Sequence, residues 1–323
     1  MPEYTGSNLN GKQFSSTVTL LSQQLTSRFE MNVRRETVNN AEEAYFNTFS
    51  AESDPTQDTD RHGDTPYDEY EATRRKAVPY PFEKGTRIAK KDVARMTVDP
   101  QNPVVKSHAA AFGRKKDKII YAAALGTAYK GKAGTTAVTF AADSIGINSD
   151  GTVSTLGTAV SNDTLTEVPM TYEKILTMMT IFNESDVDPS IRKFWAVSPN
   201  DIKHMMNLTE IINEDYRKLS DIDQGGVKSV LGFNFFWWNF LSMDTNDATC
   251  RRTLAWAEDG LILALIGDLN TEVSILPTKK YDTGIYSTMD LGAVRMEGEK
   301  VHECMNLVTQ TLAQPRGSYT AAE

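Results

Sequence analysis

The sequence predicts an α+β chain, on three observations. From Asn102 to Gly131 apolar residues recur at helical spacing over about 27 positions, a rod of roughly 40 Å at 1.5 Å per residue. The second half of the chain instead holds short apolar runs bounded by glycine, proline and aspartate, the pattern of strands joined by turns. Residues 1–50 are polar, with too few apolar positions to build a core of their own, and residues 51–99 are turn-rich and proline-bearing.

Each element follows in order. Residues 1–50 have a weak helical period through Leu20, Leu21, Leu25, Phe29, Ala41, Ala44 and Tyr45. Such an arm is stable only when laid on something else. Next, the acidic AESDPTQDTDRHGDTPYDEY passes into the basic TRRKAVPYPFEKGTRIAKKDVARM. Pro66, Pro79 and Pro81 forbid a helix there. Extended strands are expected around Tyr67–Tyr70 and Ala77–Phe82, with Glu83-Lys84-Gly85 as the turn of a long hairpin. Two strands with little apolar surface need a neighbour to lie on.

The long helix is expected to be capped by Asn102, with Pro103 in its first position and Gly131 ending it. Residues 132–168 read as short strands and tight turns, with Asp150-Gly151 as a hairpin signal. After Pro169 a second helix carries the stripe Ile175, Met178, Met179 and Phe182, which reads as core packing. KFWAVSP (193–199) reads as a buried strand, and NDIKHMMNL as a short helix capped by Asn200. IINEDYRKL and the Gly225-Gly226 pair lead to the strand VLGFNFFWWNFL. TLAWAEDGLILALIGDL is expected to be a strand and then a short apolar helix. TEVSILP, STMDLG and VRMEGEKVHECMNLV read as closing strands, with a break at Gly298.

Composition narrows the function classes. Hydrophobic residues make up 40% of the 323, so the chain can bury a core, and the net charge of −9 argues against a surface that grips nucleic acid throughout. Cys250 and Cys304 fit neither a disulfide framework nor a metal-ligand spacing. The opening MPEYTGSNLNGKQF lacks the basic and apolar regions of a signal peptide, and no apolar run reaches the ~20 residues of a bilayer span.

Catalytic constellations appear only as near misses. Gly126 to Ala133 resembles a phosphate-binding loop, but Ala133 stands where the magnesium-holding hydroxyl belongs, and the motif follows a helix. Ser190 and Lys193 have the serine–lysine spacing of penicillin-binding enzymes without the companion motifs. His62, His108, His204 and His302 form no metal-ligand pair, and strand alternation sends Glu303 away from His302. No catalytic residue, cofactor or metal site is expected. The basic cluster Arg74, Arg75, Lys76, Lys84, Arg87, Lys90 and Lys91 reads as a surface for acidic patches on sister subunits or as a charge-protected edge.

Several stretches, in this order, resemble the major capsid protein of tailed bacteriophages with the HK97-like fold, of the podovirus-type family. DTPYDEYEATRRKAVPYPFEKGTRIAKKDVARMTVDPQNP running into SHAAAFGRKKDKIIYAAALG is similar to that family's junction between extended loop and spine helix. FWAVSPNDI and VLGFNFFWWNFL resemble its axial-domain strands. AWAEDGLILALIGDLNTEVSI and MDLGAVRMEGEKVHECMNLV resemble its final run of strands, so the likeness covers about residues 60–310.

The resemblance implies an N-terminal arm at 1–52, an extended loop (E-loop) at 53–99 and a peripheral domain with the spine helix at 100–168. It further implies an axial domain at 169–268, and closing strands with a C-terminal tail at 269–323. It places Arg74, Arg75, Lys76, Lys84 and Arg87 in contact with neighbouring subunits. Its implied partners are further copies of the chain in hexamers and pentamers, a portal, separate scaffolding and decoration or cement proteins. The shell would enclose double-stranded DNA without sequence-specific binding, assemble in the host cytoplasm and involve no membrane. A short arm leaves no room for a fused scaffold, and no Lys–Asn crosslinking pair is identifiable. An encapsulin-like nanocompartment shell and an α/β enzyme with an unfamiliar site remain the alternatives.

Overall fold

A computed structural model describes residues 22–38, 41–49, 54–55, 57, 67, 69–93, 100–160, 167–208, 222–223, 226–227, 229–243 and 249–308. The strands are β1 (Arg34–Thr37), β2 (Ala44–Phe49), β3 (Ala72–Ala77), β4 (Tyr80–Ile88), β5 (Ala128–Lys130), β6 (Thr136–Val138), β7 (Gly146–Ile147), β8 (Lys193–Val197), β9 (Ile222–Asp223), β10 (Gly226–Val227), β11 (Ser229–Val230), β12 (Phe233–Trp237), β13 (Cys250–Ala257), β14 (Leu261–Leu276), β15 (Asp282–Arg295) and β16 (Val301–Leu307). The helices are α1 (Lys90–Val93), α2 (Gln101–Leu125), α3 (Phe140–Asp143), α4 (Tyr172–Glu184) and α5 (Pro199–Met206). The chain divides into two compact units, one of 1–27, 81–115 and 267–290, the other of 28–80, 116–266 and 291–323.

The second unit holds a six-stranded sheet in the order β11-β12-β8-β13-β16-β7. β12 runs parallel to β8, and β13 is antiparallel to both β8 and β16. Every residue of β8 is buried, so KFWAV shows no alternation, as expected of a strand covered on both faces. α4 lays Ile175, Met178 and Phe182 on this sheet, against Trp195, Val197, Phe233 and Cys304. Each large side chain so buried contributes about 1.5–3 kcal/mol. Thr171 caps α4 by accepting the Lys174 N–H at 3.3 Å. α5 opens on a reciprocal capping box: the Asp201 N–H donates to Ser198 Oγ and the Ser198 N–H to Asp201 Oδ2.

This unit also holds a four-stranded sheet, β2-β3-β5-β6, the antiparallel pair β9–β10, and the parallel pairing of β1 with the start of β14. In the other unit β4 lies beside β15, and β15 beside β14.

Several expectations are corrected. Residues 44–49 form a strand, not part of a helix; Tyr45, Phe46 and Phe49 suit a pleated, half-buried surface. Glu83-Lys84-Gly85 lies inside β4, and the break falls at Val78-Pro79, where proline removes a ladder donor. β3 and β4 are therefore not a hairpin: β3 pairs with β2 and β5, and β4 neighbours β15.

α2 starts at Gln101, so Pro103 sits in its first turn, where its missing N–H costs nothing. It ends at Leu125; the chain turns back into a strand at Ala128, and Gly131 takes φ +97° in the turn to β6. At 25 residues the helix is about 38 Å long. Ala109 is exposed, while His108, Lys116 and Asp117 lie on the buried face. Ser198, not Asn200, caps α5. Leu261–Leu276 is one strand, not strand then helix: Glu258-Asp259-Gly260 is its entering turn, and the run LILA is buried on both faces, which erases the period that separates strand from helix. Asp150-Gly151 does form a turn, with Gly151 at φ +94° and the Thr152 N–H donating to Asp150. Residues 211–219, Gly225 and His62 lie outside the described residues.

Candidate assembly surface

Residues 28–32 are held by side chains that composition alone does not single out. Phe29 is fully buried and stacks on Trp256 at 5.1 Å, with Phe236 and Trp238 meeting it edge-on. Asp117 on α2, fully buried, accepts the backbone N–H groups of Arg28 at 3.0 Å and Phe29 at 3.2 Å. Lys116 beside it pairs with Glu30 at 3.0 Å, and the Trp256 indole N–H donates to the Asn32 carbonyl. Thus two charged residues on the buried face of α2 are matched by residues 28–30, and β1 then adds itself to β14. A buried carboxylate is tolerable because it accepts several N–H bonds at once.

β2 and β3 pair antiparallel from Ala44↔Ala77 to Phe49↔Ala72, so the two residues that bracket 50–71 lie side by side. Tyr67 is 90% exposed, and Phe49 and Tyr70, each 71% exposed, tilt against one another at 6.0 Å. Exposed aromatic rings flank an acidic run: residues 52–71 hold eight carboxylates and one arginine.

The five basic contact candidates separate. Arg75 is buried; it donates to both Asp143 carboxylate oxygens at 2.9 Å and to the Met296 carbonyl. Lys76 is ion-paired with Glu43, whose carboxyl is held below its usual range by that hydrogen bond. Arg74 is half-buried and lies over the Tyr45 ring at 5.9 Å. Lys84 is exposed on β4. Arg87, also exposed, stands 3.4 Å from Asp282. All five thus lie on β3 or β4, and of them only Lys84 and Arg87 are exposed.

Asp143 also receives Arg295, which has no solvent exposure and donates to the Ala124 and Gly126 carbonyls at the end of α2. A second buried cation, Lys174, donates to the carbonyls of Ser149, Val168 and Met305. These charges join chain segments. Sequence reasoning missed Asp117, Asp143, Arg295 and Lys174, whose partners include residues distant in the chain.

The remaining candidates for chemistry are engaged structurally. His108 lies between Thr86 Oγ1 at 2.7 Å and Ser287 Oγ at 3.0 Å. His302 lies between the Ile145 and Glu299 carbonyls, while Glu303 turns away to pair with Arg252. Burial pushes the Cys304 thiol up to about 12, which makes it inert. The Ser190 N–H closes a turn on Asp188, and Lys193 is buried beside Phe182. Among the described residues no group of three His, Cys, Asp or Glu could hold a metal ion, and no helix is long and apolar enough to cross a membrane.

Residues 7–308 match the family model described as "Phage capsid protein". Among solved structures the chain is similar to the capsid of the cyanophage P-SCSP1u, at 16% identity over 92% of this chain and 93% of that one, with a TM-score of 0.67. It is similar to the capsid of Ralstonia phage GP4 at 12% identity over 97% and 99%, TM-score 0.67. It is also similar to the head of Helicobacter pylori bacteriophage KHP40 at 11% identity over 95% and 97%, TM-score 0.67. At such identities the likeness to these structures is one of fold. No curated protein matches the chain in sequence.

Proposed function

The chain belongs to the phage capsid protein family, and from that premise we propose that it closes an icosahedral head around packaged double-stranded DNA by assembling with copies of itself into hexamers and pentamers. Its α+β fold is the HK97-like capsid fold. The observation that supports the proposal is the acidic sequence of residues 52–71, which the paired Phe49 and Ala72 bracket and in which Tyr67 and Tyr70 are exposed. Many weak copies of such a contact sum through multivalency.

In functional terms we assign residues 1–52 to an arm, 53–99 to an E-loop, 100–168 and 269–323 to a peripheral domain, and 169–268 to an axial domain. Within the E-loop, Lys84 and Arg87 are the contact residues, with Arg74 and Lys76 on β3; Arg75 serves its own subunit. Portal, separate scaffolding and decoration proteins are the expected further partners, and the host cytoplasm the place of assembly. The net charge of −9 leaves a wall that repels DNA mildly, which suits dense packing without adhesion.

Replacing residues 54–70 by a short Gly-Ser turn tests the assignment. The β2–β3 ladder and the rest of the fold should survive, read by circular dichroism, while shells seen for the full chain by electron microscopy should vanish. Normal shells from the shortened chain would overturn the E-loop assignment.

A further inference from the structure

Two buried guanidiniums share one carboxylate. Arg75 is 8% exposed and Arg295 is closed to solvent, and among the described residues Asp143 is the one carboxylate that either of them pairs with. The remaining hydrogen bonds of Arg295 go to the Ala124, Gly126 and Val138 carbonyls, which carry no formal charge. Burial lowers the Arg295 pKa, Asp143 opposes that shift, and Arg75 adds to it. Two cations and one carboxylate leave a net positive charge inside the fold, where an uncompensated charge is costly.

Arg75 also has an unused nitrogen. Its Nε donates to the Met296 carbonyl at 3.0 Å and its Nη2 to Asp143 at 2.9 Å, so one edge of the planar fork is occupied. Nη1 stands at the opposite corner, shut off from solvent, and meets no hydrogen-bond partner among the described residues. An orphaned N–H on a buried cation is the signature of a bound water or ion. Water would satisfy the N–H and leave the charge; an anion answers both. We propose that Arg75 Nη1 seats one small monovalent anion of the chloride class, which brings the cluster of Arg75, Asp143 and Arg295 to neutrality. Because Nη1 is closed off within a single subunit, a carboxylate of another chain or a phosphate of DNA does not reach it. A small ion enters on local opening and is held once the fold closes. Binding to the folded chain alone then links the stability of the subunit to chloride concentration.

Thermal unfolding of the full-length chain, followed by tryptophan fluorescence, tests this at constant ionic strength with sodium chloride exchanged for sodium gluconate, whose anion is too large for the site. Chloride should raise the melting temperature saturably, by about 2–4 °C. Two variants locate the ion. Arg75→Lys keeps a charge beside Asp143 but lacks the third nitrogen, and should lose the chloride dependence. Asp143→Asn removes the neighbouring negative charge, and should lower the chloride concentration at half-effect by about threefold or more. The folded wild type should also broaden the chloride NMR signal, and bromide should reverse the broadening. If Arg75→Lys does not fold, Asp143→Asn and the NMR signal decide. Equal melting temperatures in the two salts, with no broadening, would mean that water alone satisfies Nη1 and would overturn the proposal. A chloride dependence that survives in Arg75→Lys, or that Asp143→Asn leaves unmoved, places the anion elsewhere and overturns it too.

Discussion

Asp143 and Arg295 are joined at 3.2 Å in a place where Arg295 has no contact with solvent, and Arg75 completes the arrangement from the other side of the carboxylate. One carboxylate thus answers two guanidiniums, and through Arg295 it also satisfies the carbonyls that end α2. Burial lowers the Arg295 pKa, and Asp143 acts against that shift. Removing the shared partner leaves two poorly solvated charges, so Asp143→Ala should cost about 3–5 kcal/mol of stability. Urea denaturation monitored by tryptophan fluorescence measures it; a loss below 1 kcal/mol would mean the cluster is not coupled as described.

The chain from Arg28 onward should behave as part of the fold. Phe29→Ala empties a site walled by Trp256, Trp238 and Phe236, and is expected to destabilise by about 3–5 kcal/mol. Asp117→Ala strands the N–H groups of Arg28 and Phe29 and should cost about 1–3 kcal/mol per unsatisfied group. Limited proteolysis reads the consequence directly: both variants should be cut within 22–33 faster than the wild type, and unchanged cutting would argue against a docked arm.

His302 sets a pH dependence. Its two nitrogens face carbonyl oxygens at 2.9 and 2.8 Å, which favours a second proton, but burial against Phe182 opposes it more strongly and lowers the pKa from the ordinary 6.5. A base with a depressed folded pKa contributes stability that is present above its unfolded value and lost as pH falls through the folded value. The subunit should therefore lose stability below about pH 6.5, and His302→Gln should flatten that slope. Melting temperatures of the two proteins across this window decide it; parallel curves would remove His302 from the account.

Gly298 gives a steric prediction. It lies where a Cβ would collide with the Asp143 carbonyl, at the turn into β16. Gly298→Ala should lower stability by about 1–3 kcal/mol, because backbone faces the added methyl and cannot rotate aside. Equal melting temperatures for mutant and wild type would contradict the close approach.

Most of the fold was legible where one period dominates. The α2 and α4 helices, β8 and the closing strands announce themselves through spacing and flanking turn residues, and Asp150-Gly151 through turn chemistry. Reading failed where burial on both faces removes the period, as at Leu261–Ala264, and where pairing partners lie far apart in sequence. No local signal says that β3 joins Lys130 while β4 goes to β15. The basic run at 74–91 was visible as charge, but its division into a buried Arg75 and an exposed Arg87 depends on Asp143 and Asp282, residues distant in the chain.

Electron microscopy of the purified full-length chain, with particle mass measured on the same sample, tests the central claim most directly. Closed shells of uniform diameter, or rings of six and five subunits where closure is incomplete, are expected. A persistent compact monomer across protein concentration and ionic strength would contradict it.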